Sequence, residues 1–289
     1  MFEGAVWIDG NLQRAAEARV NVFDRGFLYG DSAFEVMRTY DKRPFREGAH
    51  LDRLRGSCER LLIRLGPSNP ELSQIIADTI AASALPECYV RVMVTRGVAP
   101  MSLDLSHANQ PSVLVFALPL SPPAAAVYEQ GIAVGLSRAA RATDGTRAMG
   151  AKTSNYLGSV LALHEVKQRG AQEALICGPT GEVVEGATSN VFVVRAGELY
   201  TPSIEAGILA GITRRTVLEL AEGLALRVHE VPLHPSDLYQ ADEVFITSTV
   251  REVVPVVRVD DVVIADGRPG PISARVLAAY RAETQRHCA

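Results

Sequence analysis

The sequence lacks the features that mark secreted, membrane-spanning and zinc-binding proteins. Its four cysteines, Cys58, Cys88, Cys177 and Cys288, are far apart and form no CxxC pair, so they predict reduced thiols rather than a disulfide framework or a zinc site. The opening MFEGAVWIDG has no basic start followed by an apolar run, and no apolar stretch is long enough to cross a bilayer. These absences predict a cytoplasmic protein that is not attached to a membrane.

An excess of either charge is also missing. The chain carries 29 Lys and Arg against 33 Asp and Glu, dispersed along its length, for a net charge of −4. Without a basic stripe, neither nucleic acid nor a membrane surface is expected as a partner. No GxSxG nucleophile elbow is present. No metal is expected, because no metal-ligand spacing occurs among the histidines, His50, His107, His164, His229, His234 and His287.

The chain does have the composition of an ordinary globular protein, with 47% hydrophobic and 21% charged residues, and its 289 residues suit two domains. Prolines concentrate between residues 118 and 123, where hydrophobic periodicity is lost. We therefore expect a small N-terminal domain over residues 1–120, a linker over 121–128 and a larger, strand-rich C-terminal domain over 129–289. Strands and helices mix without simple βαβ alternation, so the predicted class is α+β, with sheets covered by helices.

Two predicted strands of the first domain have clear alternation. Residues 34–40 place on one face Phe34, Val36 and Arg38. Residues 89–95 place on one face Tyr89, Arg91 and Met93. Further strands are predicted over 5–8, 112–117, 132–136, 173–177, 190–194, 198–200, 226–231, 243–248 and 252–257. Helices are predicted from residue 50, over 71–84, after 154, from 213 and over 273–286.

Lys152 is the first candidate for chemistry. Apolar residues recur at helical spacing after Leu157, and Ser154 or Asn155 can cap the start of that helix. A lysine just outside the positive end of a helix is pushed toward its neutral form, which is the form that Schiff-base chemistry requires. The alternative is a solvated surface lysine, since most lysines are exposed.

Two segments have the features of phosphate sites. Residues 207–213 form a glycine-flanked turn that opens a helix, and its unpaired N–H groups, its dipole and the Thr213 hydroxyl suit an anion. The alternative is a plain helix N-cap. Three hydroxyl residues follow an apolar strand at 247–249, where a second phosphate contact or an ordinary turn would fit equally well.

Two charged side chains complete the candidates. Arg53, early in a helix, could pair with phosphate through two parallel hydrogen bonds, although a solvated helix charge is the alternative. Glu185 follows an apolar strand, where a carboxylate can keep a pyridinium nitrogen protonated and make the ring an electron sink. The alternative is a glutamate in a surface turn.

Taken in order, the motifs are specific. The chain resembles the class IV aminotransferases, which are the fold type IV pyridoxal-phosphate enzymes, from about residue 5 to 275. This family includes branched-chain aminotransferases, D-amino acid aminotransferases, aminodeoxychorismate lyases and (R)-amine transaminases. The matching motifs are FLYGDSxFEVxR (27–38), HxDRL (50–54), KxxNYL (152–157), EAL (173–175), EGxxSNxF (185–192), LxGITR (209–214) and TSTxxE (247–252).

The resemblance implies a fold of two domains with the site between them, and pyridoxal 5′-phosphate as the cofactor. Lys152 would form the Schiff base and shuttle the proton between Cα and C4′, and Glu185 would pair with the pyridine nitrogen. Leu209 would pack on the ring, with Tyr156 near cofactor and substrate. The phosphate would be held by Arg53, by the backbone at Ile212 and Thr213, and by Thr249, and Ser248 would be a further cofactor-binding residue.

Within the family, the predicted pocket resembles that of branched-chain enzymes. The positions that match those enzymes would bind the substrate, together with Val36 and Val250. Arg38 or Arg91 could accept the second carboxylate of glutamate. The full set is Tyr29, Phe34, Val36, Arg38, Tyr89, Arg91 and Val250. Val36 departs from the pattern, because branched-chain enzymes usually have Gly there and D-amino acid enzymes have Val.

The preferred interpretation is transfer of the amino group of branched-chain L-amino acids to 2-oxoglutarate, with (R)-amine side activity, by a homodimer or larger assembly. A D-amino acid aminotransferase is the first alternative, but Met101 and Leu103 stand where those enzymes place an Arg and a His for the substrate carboxylate. An aminodeoxychorismate lyase is another alternative. A pyridoxal-phosphate-binding protein without catalysis is the alternative outside the enzymes.

Overall fold

The chain, as a computed structural model, is described for residues 3–138 and 145–288. Two compact units divide it. The first comprises the described residues of Met1–Ser121, Gly145–Asn155 and Thr284–Ala289, and the second those of Pro122–Asp144 and Tyr156–Glu283. The predicted linker over 121–128 includes the start of a helix at Ala125, and its role as a linker stays a prediction.

The first unit is a six-stranded antiparallel sheet in the order β2-β1-β6-β5-β3-β4. Its strands are β1 (Ala5–Ile8), β2 (Asn11–Arg14), β3 (Ser32–Tyr40), β4 (Arg43–Pro44), β5 (Cys88–Thr95) and β6 (Ser112–Pro119). Its helices are α1 (Arg25–Tyr29), α2 (Glu47–Arg60) and α3 (Asn69–Ser83), with a short 3-10 turn at Leu105–His107.

Alternation builds the core of the first unit. Val90, Val92 and Val94 of β5 are fully buried, and they pack with Met37 of β3 under α2 and α3. The period-two pattern therefore leaves the opposite face of the same two strands for the polar and aromatic side chains of the predicted pocket.

One helix of the first unit was not predicted. Arg25–Tyr29 form the short helix α1. Asp24 accepts a hydrogen bond from the Gly26 amide at 2.7 Å, and Gly30 ends the helix in the left-handed conformation. The helix was missed because five residues are too few to show a hydrophobic period.

The second unit is a nine-stranded mixed sheet in the order β12-β11-β10-β13-β14-β7-β8-β9, with β15 paired to β14. Its strands are β7 (Ile132–Ser137), β8 (Glu173–Cys177), β9 (Val183–Gly186), β10 (Asn190–Arg195), β11 (Glu198–Thr201), β12 (Val228–Glu230), β13 (Glu243–Ser248), β14 (Glu252–Val259) and β15 (Val262–Val263). Its helices are α4 (Ala125–Gln130), α5 (Leu157–Gln168), α6 (Ile212–Gly223), α7 (Pro235–Tyr239) and α8 (Pro271–Cys288), with a 3-10 turn at Ile204–Ala206.

The α+β class predicted from the sequence is confirmed, because each unit joins one sheet to helices. The last residues of α8, from Thr284, belong to the first unit. In the part of the chain that is described, no helix combines the length and apolar character needed to cross a membrane.

Candidate active site

The backbone around Lys152 is fixed to the first unit like an additional short strand. The Lys152 carbonyl accepts a hydrogen bond from the Phe34 amide at 3.0 Å, and the Ser154 amide donates to the Ser32 carbonyl at 3.2 Å. The Lys152 amide donates to Ser57 Oγ of α2 at 3.1 Å. These three bonds hold the lysine beside β3, whose side chains then determine what its amine meets.

The predicted caps of the helix that follows Lys152 are wrong. The helix α5 begins only at Leu157, its N-cap is Tyr156, and neither Ser154 nor Asn155 caps it with a side chain. The backbone of Lys152 is held by its hydrogen bonds to Phe34 and Ser57, and its position beside the N-terminus of α5 stays a prediction. The period after Leu157 predicted the helix itself correctly, but a capping residue type could not identify the first helical residue.

One face of the first unit collects most of the predicted pocket. In the ladder between β3 and β5, Phe34, Val36 and Arg38 lie opposite Met93, Arg91 and Tyr89. The Arg91 guanidinium carbon is 3.8 Å from the centroid of the Phe34 ring, and Lys152 Nζ is 4.5 Å from the same centroid. Phe34 thus lies beside two of the predicted functional cations.

Two predicted pocket residues stand differently. The Arg38 guanidinium carbon lies 4.7 Å from the centroid of the Tyr40 ring, which is further along β3. Tyr29 ends α1 with 37% of its surface exposed, and the Arg25 guanidinium carbon is 5.0 Å from its ring centroid. Their roles in substrate binding stay predictions.

The opposite face of β3 carries a buried ionic cluster. Glu35 has no exposed surface, and it accepts hydrogen bonds from Arg53 Nε and Nη2, both at 2.7 Å, and lies 2.8 Å from His50 Nδ1. Burial alone would raise the pKa of Glu35, but the charge and hydrogen bonds of Arg53, with His50, lower it to about 2. Burial lowers the pKa of His50.

This cluster also determines the surroundings of Arg53. Its guanidinium forms the bidentate pair with Glu35, and its side chain is only 13% exposed. The solvated-helix alternative is therefore wrong, because α2 packs against β3 at this point and buries the charge. The predicted contact of Arg53 with phosphate stays a prediction.

In the second unit, Glu185 near the end of β9 accepts a hydrogen bond from the Leu209 amide at 3.0 Å. Asn190 Nδ2 donates to the Leu209 carbonyl at 3.0 Å. Both polar groups of Leu209 are therefore fixed by side chains of the sheet. Glu185 and Leu209 are both half-buried.

The start of α6 fits a phosphate group. Gly211 is the N-cap, so no side chain caps the first amides, including those of Ile212 and Thr213. A Cβ on Gly211 would lie 1.9 Å from Asn190 Oδ1, which explains the glycine. Asn190 pairs in the ladder with Thr247, whose buried hydroxyl has no hydrogen-bond partner among the described residues. Unpaired donors at a helix N-terminus and a buried hydroxyl match the chemistry of a phosphate ester.

The predicted hydroxyl segment lies at a β-hairpin. Ser248, the last residue of β13, pairs with Glu252, the first residue of β14. The intervening turn contains Thr249, Val250 and Arg251. Arg251 Nε donates to Ser248 Oγ at 3.2 Å. Thr249 and Val250 are half-buried, as expected of side chains at the edge of a site.

Two further residues of this region were not predicted from the sequence. Arg251 forms an ion pair with Glu173, a carboxylate of β8 that is 1% exposed. Both residues lie within motifs that were matched, but neither was given a role. A buried glutamate at the start of an apolar strand was the available signal, because such a carboxylate requires a partner.

No group of three or more His, Cys, Asp and Glu that could hold a metal ion occurs within residues 3–138 and 145–288. The expectation that the protein needs no metal stays a prediction.

Comparison with known proteins gives a consistent result. Residues 32–259 match the family model described as amino-transferase class IV. The chain is 34% identical over 281 residues to the branched-chain-amino-acid aminotransferase of Escherichia coli (strain K12), and the match covers 95% of this chain and 91% of that protein. It is 33% identical over 278 residues to the D-alanine aminotransferase of Bacillus licheniformis, and the match covers 96% of this chain and 95% of that protein.

Solved structures agree with the sequence matches. The crystal structure of the Escherichia coli branched-chain amino acid aminotransferase has a TM-score of 0.92 at 33% identity, over 98% of this chain and 94% of that one. The branched-chain amino acid aminotransferase of Thermobaculum terrenum, in its PLP-form, has a TM-score of 0.87 at 27% identity, over 99% of this chain and 97% of that one.

Proposed function

This chain belongs to the class IV aminotransferases, and we propose that it transfers the amino group of branched-chain L-amino acids to 2-oxoglutarate. Its fold is fold type IV, and its cofactor is pyridoxal 5′-phosphate. An amino acid and a 2-oxo acid are its substrates. The observation that supports the branched-chain pocket is the sheet face on which Phe34 and Arg91 lie together, with Lys152 Nζ beside Phe34.

When bound, pyridoxal 5′-phosphate supplies a carbonyl that takes up an amine and a ring that accepts electrons from Cα. Lys152 Nζ would bind the cofactor through that carbonyl carbon as a Schiff base. The same amine would move the proton between Cα and C4′. Glu185 would hold the proton on the pyridine nitrogen. The Leu209 amide, which donates to Glu185 at 3.0 Å, orients this carboxylate.

The remaining cofactor contacts follow from the fit of the second unit to a phosphate. The first amides of α6, at Ile212 and Thr213, would donate to phosphate oxygens, with the α6 dipole favouring the negative charge. Ser248 and Thr249 would add hydroxyl or backbone donors from the hairpin turn, and Arg53 would add its charge. Leu209 and Tyr156 would pack against the cofactor.

Substrate side chains would be bound by the face that carries Phe34 and Val36. Of the two arginines available for the second carboxylate of glutamate, Arg91 is better placed than Arg38. Its guanidinium lies over Phe34, the ring that also meets Lys152 Nζ, whereas the Arg38 guanidinium lies over Tyr40. Further contacts with the substrate are proposed for Tyr29, Tyr89 and Val250.

The proposal is tested by steady-state turnover with L-leucine, L-isoleucine or L-valine as donor and 2-oxoglutarate as acceptor, with glutamate measured as product. We expect turnover with all three, and none in Lys152→Ala. Unchanged turnover in Lys152→Ala would contradict the assigned role. A wild-type protein that releases pyruvate from aminodeoxychorismate but forms no glutamate would contradict the transaminase proposal.

A D-amino acid aminotransferase is the second candidate, because Val36 and the similarity to the Bacillus licheniformis enzyme favour it. Met101 and Leu103 oppose it, because an apolar side chain cannot bind the substrate carboxylate by charge. They are 72% and 79% exposed on the loop after β5.

We also propose a homodimer or larger assembly. Helix α5 presents Leu157, Val160 and Leu161 to solvent, with 72%, 58% and 57% of their surfaces exposed, while its buried side consists of Ala162 and Val166. A row of apolar side chains on one face of a helix is typical of a surface that another protein covers. Light scattering should therefore give at least twice the chain mass of 31.1 kDa.

A cytoplasmic location is proposed on the state of the thiols. Cys58 is packed in the core of the first unit, where burial raises its pKa to about 12. A buried, protonated thiol suits a reducing compartment. Fractionation of cells that express the tagged protein tests this assignment.

A further inference from the structure

Glu173 is a buried carboxylate that none of the proposed catalytic roles uses. It is 1% exposed and accepts hydrogen bonds from Thr188 Oγ1 at 2.8 Å and from Ser189 Oγ at 3.4 Å. Its third side-chain partner is Arg251 Nη2, with which it forms an ion pair. Thr188 and Ser189 belong to the turn that follows β9, the strand of Glu185. One carboxylate therefore connects the turn after Glu185 to the hairpin after β13.

Arg251 makes the connection from the side of the hairpin. Its Nη2 donates to Thr188 Oγ1 at 2.7 Å in addition to Glu173, and its Nε donates to Ser248 Oγ at 3.2 Å. The guanidinium thus reaches three acceptors on three parts of the second unit. A lysine has one charged nitrogen on a flexible stem and could not reproduce this planar arrangement.

The residue that follows the turn is fixed as well. Glu252 has φ of +60°, in the left-handed region that a residue with a side chain rarely adopts, and it is 2% exposed. Arg281 of α8 donates to its carboxylate at 2.8 Å. The Arg251 carbonyl accepts a hydrogen bond from the Tyr128 hydroxyl at 3.2 Å. Side chains of α4, α8 and β8 therefore contact Arg251 and Glu252, at the end of this turn.

We propose that Arg251 and Glu173 are positioning residues that hold the Ser248–Val250 turn in the shape that binds the phosphate group of the cofactor. This inference rests on the proposed contacts of Ser248 and Thr249 with phosphate. Donors that are already in place lose little conformational freedom on binding, so the pair raises affinity for the phosphate without touching it. Glu173 is needed because it fixes the direction of the guanidinium.

The test compares two ligands that differ in the phosphate alone. Dissociation constants of pyridoxal 5′-phosphate and of pyridoxal are measured on the apo full-length chain of the wild type, Arg251→Met, Glu173→Gln and the double variant. We expect each variant to weaken pyridoxal 5′-phosphate binding by roughly tenfold, with pyridoxal binding unchanged. The double variant should be no weaker than Arg251→Met, because the two residues act through one interaction.

Arg195→Met is the matched control. Arg195 is the last residue of β10, in the same sheet, and forms an ion pair with Asp237 of α7 at 2.8 Å; among the described residues, the contacts of its side chain do not include the hairpin turn. This variant should bind both ligands like the wild type. If Arg251→Met does not fold, Arg251→Lys and Glu173→Gln, which preserve the volume of the side chains, serve in its place with the same expectation.

A spectroscopic measurement distinguishes positioning from a general loss of structure. The ³¹P resonance of the bound phosphate, measured at saturating cofactor, should shift in Arg251→Met and stay at the wild-type position in Arg195→Met. Equal weakening of both ligands, or a ³¹P resonance unchanged by Arg251→Met, would overturn the inference. If the ligand difference appears but L-leucine is not a donor, the substrate proposal fails and the positioning role stands.

Discussion

At the residue scale, we propose that the charges near Phe34 distinguish one substrate from another. Lys152 Nζ and the Arg91 guanidinium both lie over this ring, at 4.5 and 3.8 Å from its centroid. A leucine side chain would need only the apolar part of this face, whereas glutamate carries a second carboxylate that needs a cation. One pocket can therefore accept both partners of the reaction if the arginine is used by only one of them.

Arg91→Leu should separate the two substrates. Loss of a charge-assisted bond predicts that KM for 2-oxoglutarate rises roughly ten- to a hundredfold, while the half-reaction with L-leucine is largely unchanged. Steady-state kinetics with each substrate varied in turn measure this. Arg38→Leu is the matched comparison and should have the smaller effect. The larger effect in Arg38→Leu would contradict the assignment of Arg91.

The buried Glu35 cluster predicts loss of stability in acid. The pKa of Glu35 falls from 4.5 to about 2 on folding, so its contribution, up to about 3 kcal/mol, is fully present above pH 4.5 and is lost as the pH falls toward 2. Burial also lowers the pKa of His50 from its ordinary value of 6.5. Below pH 6.5, His50 is therefore protonated in the unfolded chain more readily than in the folded chain. For both groups, the free energy of unfolding decreases as the pH falls.

Urea unfolding at a series of pH values measures this effect, with Glu35→Gln as the control. The difference in unfolding free energy between wild type and Glu35→Gln should be large at neutral pH and should shrink as the pH falls below 4.5. A difference that does not change with pH would show that the charge of Glu35 has no part in it.

The faces of β3 and β5 could be predicted at this scale, because period-two alternation is a local property of the chain. The partners of Glu35 could not. The alternation placed its carboxylate on the face opposite Phe34, but His50 and Arg53 come from another element. Which buried charges meet depends on how α2 packs on the sheet, and no local pattern contains that information.

At the element scale, α5 and the β13–β14 hairpin differ in what covers them. The hairpin turn is held by side chains from three other elements, through Arg251, Glu252 and Tyr128. The helix leaves its largest apolar side chains exposed. Helical spacing predicted α5 although not its first residue, but spacing alone does not say whether an apolar row meets the core of its own chain or another molecule.

Leu161→Glu should weaken self-association. A charge within the exposed apolar row of α5 would have to be buried without a partner if a second chain covered that row. We expect a larger monomer fraction by light scattering at low protein concentration, with the far-ultraviolet circular dichroism of the wild type. Val263→Glu, at another exposed apolar position, is the control. An assembly unaffected by Leu161→Glu would place the interface elsewhere.

At the scale of the whole molecule, the class of fold was predictable and the sheet order was not. The mixture of strands and helices without βαβ alternation indicated α+β. In the second unit, however, β14 pairs in parallel with β7, and this joins residues more than a hundred positions apart in the chain. Pairings of that separation are set by the packing of the complete sheet, so the resemblance to a family, rather than local patterns, carried the architectural prediction.

We propose that this chain is a pyridoxal-phosphate-dependent transaminase in which Lys152 is the catalytic residue and branched-chain L-amino acids are the donors. Single half-reactions of the cofactor-loaded protein test it most directly, with loss of the visible absorption followed after adding L-leucine, D-alanine or (R)-1-phenylethylamine in separate cuvettes. We predict rapid loss with L-leucine and slower or no loss with the other two. Loss with D-alanine alone would contradict this proposal, because the donor would then be a D-amino acid. A group other than Met101 and Leu103 would have to bind its carboxylate.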